Sequence, residues 1–157
     1  MVKRLLGLII ILALIAAGIA VWLLTHPALT DREQILRLIS QAEEGVETKN
    51  SSKVMDCISQ DYQDRHGFRK RDLARYVIAF SRQSKGDFDV TLGPPSLTIT
   101  DDHAVVQLMV TIRPMMTPEG SPPALFEGPV TAHLRKEDAG WKVMSAEGWE
   151  EGPDLLP

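Results

Sequence analysis

The chain has 157 residues, of which 24% are charged and 44% hydrophobic, and it carries 17 basic and 21 acidic side chains. This acidic balance argues against a nucleic-acid binder, because that function needs a basic surface to neutralise phosphates. The single cysteine, Cys57, excludes a framework of internal disulfides.

The beginning of the chain contains an uninterrupted apolar segment. Residues 5–24 carry no charge, and in a helix they would span about 30 Å, the thickness of the hydrocarbon core of a bilayer. The segment continues to Leu24 without the small-residue cleavage site of a secretory signal peptide. We therefore predict a retained transmembrane anchor at 5–24, and a buried helix of a soluble protein is the less favoured alternative.

Charges at the start of the chain set the predicted topology. Lys3 and Arg4 are the only charged residues before Asp31, which favours residues 1–4 in the cytoplasm and everything after Leu24 on the far side. The predicted location is a bacterial inner membrane, crossed once, with the domain in the periplasm or outside. The chain beyond the anchor has 15 basic and 21 acidic residues, a net charge of −6.

Three helices are predicted after a linker at 25–30. The first begins at Asp31 and has apolar residues at helical spacing from Ile35 to Val46. A second, short helix fits Ser51–Ser59 and is expected to be capped by a serine. The third repeats the helical spacing from Leu73 to Phe80 and is expected to end near Gly86.

Downstream of the third helix, the sequence has the two-residue alternation of β-strands. The clearest case is HAVVQLMVTIR, where apolar residues from Ala104 to Ile112 alternate with more polar ones. A proline-rich loop is predicted at 114–123. Helices followed by antiparallel strands indicate an α+β domain at 31–150, with a tail at 151–157. The predicted strands are Phe88–Leu92, Leu97–Thr100, His103–Arg113, Leu125–Arg135 and Trp141–Trp149.

The phrases DYQDRHG after the second helix and GWKVMSAEGW in the last strand, together with the order of elements, resemble the nuclear transport factor 2-like superfamily. This superfamily is also called SnoaL-like or cystatin-like, and the resemblance covers nearly all of residues 31–150. It implies a cone-shaped domain in which three helices pack on a curved antiparallel sheet and leave a cavity at one end. Members include isomerases, dehydratases, cyclases and non-catalytic binding or assembly domains, so the resemblance implies a fold and not an activity.

The segment DYQDRHG supplies the candidate catalytic residues Tyr62, Asp64 and His66. Asp64 and His66 carry groups suited to general acid–base work, and the resemblance places them facing water or the cavity mouth, with Tyr62 packed inward. The alternative is an exposed corner around Gly67, since turns favour these residue types. The inward carboxylic acids of ketosteroid isomerase are not matched, because the long third strand offers only Gln107 as a polar group of similar reach.

Large side chains supply the candidate binding residues. Trp141 and Trp149 occupy alternate positions of the last strand, where core packing and an exposed patch for self-association are both open. Met109 adds adaptable apolar surface. The resemblance also implies a homodimer through the open sheet face. The candidate set for a ligand or partner is Tyr62, Gln107, Met109, Trp141 and Trp149.

Other features of the sequence are assigned no chemistry. Five basic residues between Arg65 and Arg75 either attract an anion, a lipid headgroup or an acidic partner, or form the solvated start of a helix. Cys57 is expected to be a buried, unreactive thiol. The four histidines show no metal-binding spacing, so neither a metal nor a cofactor is predicted.

Three functions remain open on the sequence. The first is a membrane-anchored, non-catalytic domain beyond the inner membrane that binds a small apolar ligand or an envelope protein. The second is an anchored isomerase or hydrolase-type enzyme that uses Tyr62, Asp64 and His66. The third is an assembly factor similar to those of type IV secretion machines, which also join one span to this fold.

Overall fold

The structure, a computed structural model, describes Ile15 and residues 29–83, 87–115 and 124–149. The predicted anchor at 5–24, except Ile15, and the predicted tail at 151–157 lie outside the described residues, as does the predicted helix end at Gly86. Within the described ranges, no helix is long and apolar enough to cross a membrane.

The chain divides into two compact units, residues 1–30 and residues 31–157, and the helices and strands below belong to the second. Its three helices are α1 (Asp31–Glu47), α2 (Ser51–Asp56) and α3 (Lys70–Gln83). Its five strands are β1 (Phe88–Leu92), β2 (Ser96–Thr100), β3 (His103–Pro114), β4 (Phe126–Glu137) and β5 (Gly140–Glu147). The helices-then-strands order confirms the predicted α+β class.

Helix α2 differs from its prediction at both ends. The cap is Asn50 and not a serine, because the Asn50 side chain accepts a hydrogen bond from the Lys53 backbone N–H at 3.0 Å. The helix ends at Asp56, three residues before the predicted Ser59. The backbone beyond it instead pairs with β5, since the Ser59 N–H donates to the Val143 carbonyl at 2.9 Å. The segment 57–63 therefore extends the sheet beyond β5.

The sheet is antiparallel and curved, with β3 and β4 at its centre. Strands β1 and β2 both pair with β3 along the edge that β4 leaves free. Leu92 of β1 faces Val110, and Ser96 of β2 faces Gln107. The edge is broken between β1 and β2 by Gly93 and two prolines, which interrupt backbone pairing.

Helix α1 packs on one face of this sheet, called here the inner face. Ile35 of α1 is fully buried against Val106, Leu134 and Trp141. Val106 and Leu134 alternate along β3 and β4 with exposed or half-buried residues, as the two-residue period requires. The inner face under α1 therefore forms the hydrophobic core.

Asp31, the first residue of α1, is bonded to β4 and β5. The Asp31 carboxylate accepts hydrogen bonds from Lys136 Nζ at 2.7 Å and from the Trp141 indole N–H at 3.0 Å. The Lys136 bond first, and then the Trp141 bond, hold the pKa of Asp31 below its ordinary value. Because Lys136 and Trp141 face each other across β4 and β5, this contact fixes where α1 begins on the sheet.

Candidate functional site

The inner face of the sheet has two unlike halves. Under α1, the inner residues are buried, and Val106 is 1% exposed. Further along β3 and β4, the inner residues are only half-buried, although Phe88 and Val90 of the adjoining β1 are buried. We call this second region the open half, and it consists of Leu92, Val110, Ile112, Phe126 and Val130.

Helix α3 reaches the sheet through aromatic side chains. Phe80 stacks on Phe88 of β1 with ring centroids 4.7 Å apart, and Tyr76 meets Phe68 edge-on at 5.5 Å. Phe68 in turn lies 6.4 Å from the ring of Trp149. Among the α3 residues whose burial is described, none is fully buried. The open half, which adjoins Phe88 along β1, is apolar and partly accessible.

The described strands place no carboxylate on the inner face, since their acidic residues fall at outward positions or at strand ends. The inner positions of the open half are all apolar. A buried carboxylate does occur, but it comes from the segment after α2. Asp64 is 5% exposed and does not face water, contrary to the expectation from the resemblance.

The burial of Asp64 follows from the backbone of its own segment. Residues 61–65 alternate between exposed and buried, with Tyr62 and Asp64 inward, and Gln63 N–H donates to the Met144 carbonyl of β5 at 3.0 Å. The segment thus runs as an extended chain along the sheet. Tyr62 is 2% exposed, as predicted for a residue packed inward.

The Asp64 carboxylate organises the turn that follows. Its Oδ1 accepts hydrogen bonds from the backbone N–H groups of His66 and Phe68, both at 2.9 Å. Its Oδ2 is buried, and no group in the described part of the chain bonds it. A buried acceptor of this kind calls for a bound water, a ligand donor or a proton-transfer role.

His66 is not arranged as the partner of Asp64 in an acid–base pair. Its ring is exposed, and its Nε2 accepts a hydrogen bond from Arg65 Nε at 3.1 Å. The bond between His66 and Asp64 is made by the His66 backbone N–H and not by the ring. Of the three candidate catalytic residues, the structure thus turns two inward and leaves the histidine ring outside.

A cleft of about 490 Å³ opens where β5 stops short of β4. Strand β5 pairs with Thr131–Glu137 only, so the first half of β4 has β3 as its one described strand partner. The cleft is lined by Arg65, residues 124–129, Thr131 and residues 147–148. With one guanidinium and two carboxylates in its wall, it is more polar than the open half.

Gln107 and Met109 lie on the opposite face from the open half. Both are exposed, and they face Thr131 and Pro129 of the cleft across the β3–β4 ladder. Met109 is 50% exposed. These two candidates therefore belong to the outer sheet face, where the homodimer is predicted, and not to the inner site.

The two tryptophans have different roles because β5 contains a bulge and ends at Glu147, before Trp149. Trp141 is 3% exposed in the core, where it bonds Asp31. The register of β4 and β5 shifts by one residue between His133 and Leu134, so the alternation predicted for Trp141 and Trp149 does not hold along the strand. Trp149 is half-buried beside Phe68, and its indole N–H donates to the Ala146 carbonyl at 3.2 Å.

A polar network that sequence reasoning missed joins the segment after α2 to β4. The buried Ser59 hydroxyl donates to Glu137 Oε1 at 2.6 Å. Arg135 bridges Glu137 and Asp61, at 3.1 and 2.7 Å. The Ser59 bond first, and then Arg135, hold the pKa of Glu137 below its ordinary value. No sequence signal links these residues, because Ser59 and Glu137 are 78 positions apart.

Cys57 is 1% exposed, and burial raises the pKa of its thiol to about 11. The predicted burial of this thiol is therefore confirmed. No group of three metal-ligating side chains occurs in the ranges that the structure describes.

Comparison with known proteins identifies the fold. No protein-family profile and no curated protein sequence matches the chain. A nuclear transport factor 2-like protein with a cystatin-like fold from Novosphingobium aromaticivorans is 16% identical, with a TM-score of 0.60, over 91% of this chain and 95% of that one.

Two further solved structures agree with this match. A cystatin-like protein of unknown function from Nostoc punctiforme is 15% identical over 75% of this chain and 90% of that one, with a TM-score of 0.60. A nuclear transport factor 2-like protein of unknown function from Pseudomonas putida is 14% identical over 71% of this chain and 80% of that one, with a TM-score of 0.61. The domain has a cystatin-like fold. At these identities, the likeness extends to the fold and not to activity.

Proposed function

We propose that the chain is a membrane-anchored binding protein whose domain holds a small apolar ligand without catalysis. Residues 5–24 form the anchor, residues 1–4 lie in the cytoplasm of a bacterium, and the domain lies beyond the inner membrane. The observation that supports binding is the open half of the inner face. Its side chains are apolar and half-buried, whereas the inner residues under α1, and Phe88 and Val90 of β1, are buried.

The affinity of the open half depends on how much apolar surface a ligand covers there. Each Å² of apolar surface removed from water contributes about 25 cal/mol. A ligand that covers about 300 Å² there would gain roughly 7 kcal/mol before the costs of association, so binding in the micromolar to millimolar range is reasonable. Tyr62 and Asp64, which turn inward from the segment that pairs with β5, are the polar candidates for orienting such a ligand.

Adjacent residues of β3 provide a matched test of the ligand site. Val110 points into the open half, whereas Met109 points to the outer face. The full chain, Val110→Gln and Met109→Gln should be purified in lipid nanodiscs, and organic extracts compared by mass spectrometry with empty nanodiscs. We expect the same molecule with the wild type and Met109→Gln, and its loss from Val110→Gln. Equal loss from both variants, or no enrichment over empty nanodiscs, would contradict the proposal.

The anchor is tested separately by reporter fusions at the carboxyl terminus. Alkaline phosphatase, which is active outside the cytoplasm, should be active when fused after Pro157, and a reporter that works only in the cytoplasm should be silent. The reverse pattern would refute the topology without bearing on the ligand site.

A second candidate function is catalysis, and it is favoured by one observation. The Asp64 carboxylate is buried inside the domain, and one of its oxygens has no bonding partner among the described residues. A buried carboxylate oxygen without a bonding partner can accept a proton from a substrate that reaches it. In this version, Asp64 is the base, Tyr62 contacts the substrate, and His66 takes part only if its ring turns inward from solvent.

Asp64→Asn separates binding from catalysis. An amide oxygen can still accept the two turn hydrogen bonds, but the side chain can no longer take up a proton. The molecule extracted from the wild type should be incubated with each protein and followed by mass spectrometry. Conversion by the wild type and not by Asp64→Asn would support the enzyme. An unchanged molecule that both proteins bind equally would leave the non-catalytic binding role.

A further inference from the structure

The exposed side of helix α3 carries a row of arginines. Arg71, Arg75, Ile78 and Arg82 are all exposed, and they are separated by four, three and four residues. At 3.6 residues per turn, this spacing puts them on one face, which we call the basic stripe. Ile78 lies in the row with 40% of its surface exposed, so the stripe combines three cations with one apolar contact.

Most charges of the basic stripe form no close ion pair within the described part of the domain. Arg75 is 73% exposed and lies 3.9 Å from Asp72, a separation that gives only a weak pair in water. Arg71 and Arg82 form no ion pair with any residue that the structure describes. Lys70, by contrast, turns inward and donates to the Ile58 carbonyl at 2.7 Å, so it does not belong to the stripe.

The stripe lies in the one basic region of an acidic domain. Residues 65–82 contain six basic residues and one acidic residue, a net charge of +5. The remainder of the chain beyond the anchor contains nine basic and 20 acidic residues, a net charge of −11. An anionic surface therefore attracts this face and repels the rest, which selects one orientation of the domain.

We propose that the basic stripe docks on anionic phospholipid headgroups. This inference rests on the proposed anchor, because residues 5–24 would keep the domain at a bilayer surface, where weak contacts are made at high effective concentration. Guanidinium groups suit phosphate oxygens, with which they form paired hydrogen bonds. Lipid is favoured over an acidic protein because the stripe is narrow and has one apolar side chain, whereas stable protein interfaces need a broad, well-packed centre.

A fluorescent label beside the stripe can report docking in the full chain. Ala79 is exposed next to Ile78, and Ala79→Cys can be labelled selectively with an environment-sensitive dye, because Cys57 is buried. The labelled chain should be placed in nanodiscs of phosphatidylcholine alone or with about one third phosphatidylglycerol. We expect brighter, blue-shifted emission in the anionic nanodiscs, reversed by about 1 M NaCl, which shortens the screening length to about 3 Å.

Charge reversals identify the residues responsible. Each arginine at an anionic surface strengthens attachment about fivefold, so Arg71→Glu with Arg82→Glu should weaken docking at least about 25-fold. Arg32→Glu with Arg37→Glu changes the net charge equally at exposed positions of α1, and it should leave the dye signal unchanged. Equal loss with both pairs would overturn the assignment to the stripe.

The outcomes separate the docking surface from the anchor. If the chain elutes with nanodiscs but the dye signal is the same in both lipids, lipid docking is refuted and the anchor stands. If the chain does not enter nanodiscs at all, the anchor fails and the inference fails with it. If polyglutamate changes the signal in phosphatidylcholine nanodiscs and phosphatidylglycerol does not, the surface is one for acidic proteins and the lipid proposal is wrong.

Discussion

Replacing Gly148 by alanine tests how the end of β5 is positioned beside the cleft. Gly148 has φ at +93°, and a Cβ added there would lie 2.1 Å from the Pro129 carbonyl oxygen. A backbone oxygen cannot swing aside as a flexible side chain can, so the chain around residue 148 must move. Because Pro129 and Gly148 both line the cleft, that movement changes the cleft itself.

The expected loss in the free energy of unfolding of Gly148→Ala has two parts. A side chain in the left-handed region costs about 1–2 kcal/mol, and forcing an extra methyl group against packed backbone costs about 1–3 kcal/mol more. The sum is about 2–5 kcal/mol, a large share of the roughly 5–15 kcal/mol that stabilises an ordinary domain. Gly140 supplies the control, because its φ is +102° and a Cβ there would meet no atom within 4 Å. Gly140→Ala should lose only the first part.

Urea unfolding of the full chain in detergent, followed by tryptophan fluorescence, measures both variants. With a slope of about 1–3 kcal/mol per molar urea, Gly148→Ala should unfold at a midpoint lower than that of Gly140→Ala by about 1 M. The two parts of the estimate are then separated by the difference between the variants. Equal midpoints for the two alanine variants would show that the close approach of Gly148 to Pro129 does not exist.

Three further predictions concern the buried polar groups. Ser59→Ala removes a bond to the Glu137 carboxylate and should lower the free energy of unfolding at pH 7 by about 1.5–3 kcal/mol. Because the folded state lowers the pKa of Glu137 from its ordinary 4.5, this stabilisation is present above about pH 4.5 and is lost as the pH falls through the folded-state pKa. Urea curves of wild type and Ser59→Ala should therefore converge in acid, and an undiminished gap at pH 3 would contradict the role of the carboxylate. Asp64→Ala should lower the free energy of unfolding by about 1–3 kcal/mol, because two backbone N–H groups lose their acceptor. Asp64→Asn should stay within about 1 kcal/mol of the wild type. Equal losses of stability for the two variants in a thermal melt would mean that the turn does not depend on this oxygen. A disulfide reagent at pH 8 should modify Cys57 about 100-fold more slowly in the folded than in the urea-unfolded chain, since a pKa of about 11 leaves about 100-fold less thiolate, and similar rates would show that the thiol is accessible.

The periodic parts of the chain were predictable from sequence. Strand β3 was predicted from alternation alone as His103–Arg113, and the structure has His103–Pro114. The outward or inward direction of Gln107, Met109 and Val110 follows from the same alternation. Local hydrophobic patterning sufficed in these places because the inner face of the sheet packs under α1, whereas the outer face carries exposed residues.

The sequence was least informative where distant segments share backbone bonds. Helix α2 ends before its predicted Ser59 because that backbone pairs with β5, a strand more than 80 residues away. A bulge opposite His133 and the end of β5 at Glu147 leave Trp141 inside the strand and Trp149 beyond it, and no local signal marks either feature. Asp64 looked like a residue of an exposed corner, yet the pairing of its segment with β5 turns it inward.

The sequence by itself therefore determined the α+β class, the element order and the division between an apolar leader and an acidic domain, because these depend on composition and on periods of two and 3.6 residues. Only the tertiary structure decided which charged groups are buried and which surfaces stay open. Asp64 lies inside and His66 lies outside. The inner residues of the sheet are buried under α1 and at Phe88 and Val90, but only half-buried in the open half. These outcomes depend on contacts between segments far apart in the chain, and such contacts leave no pattern in the residues next to each other.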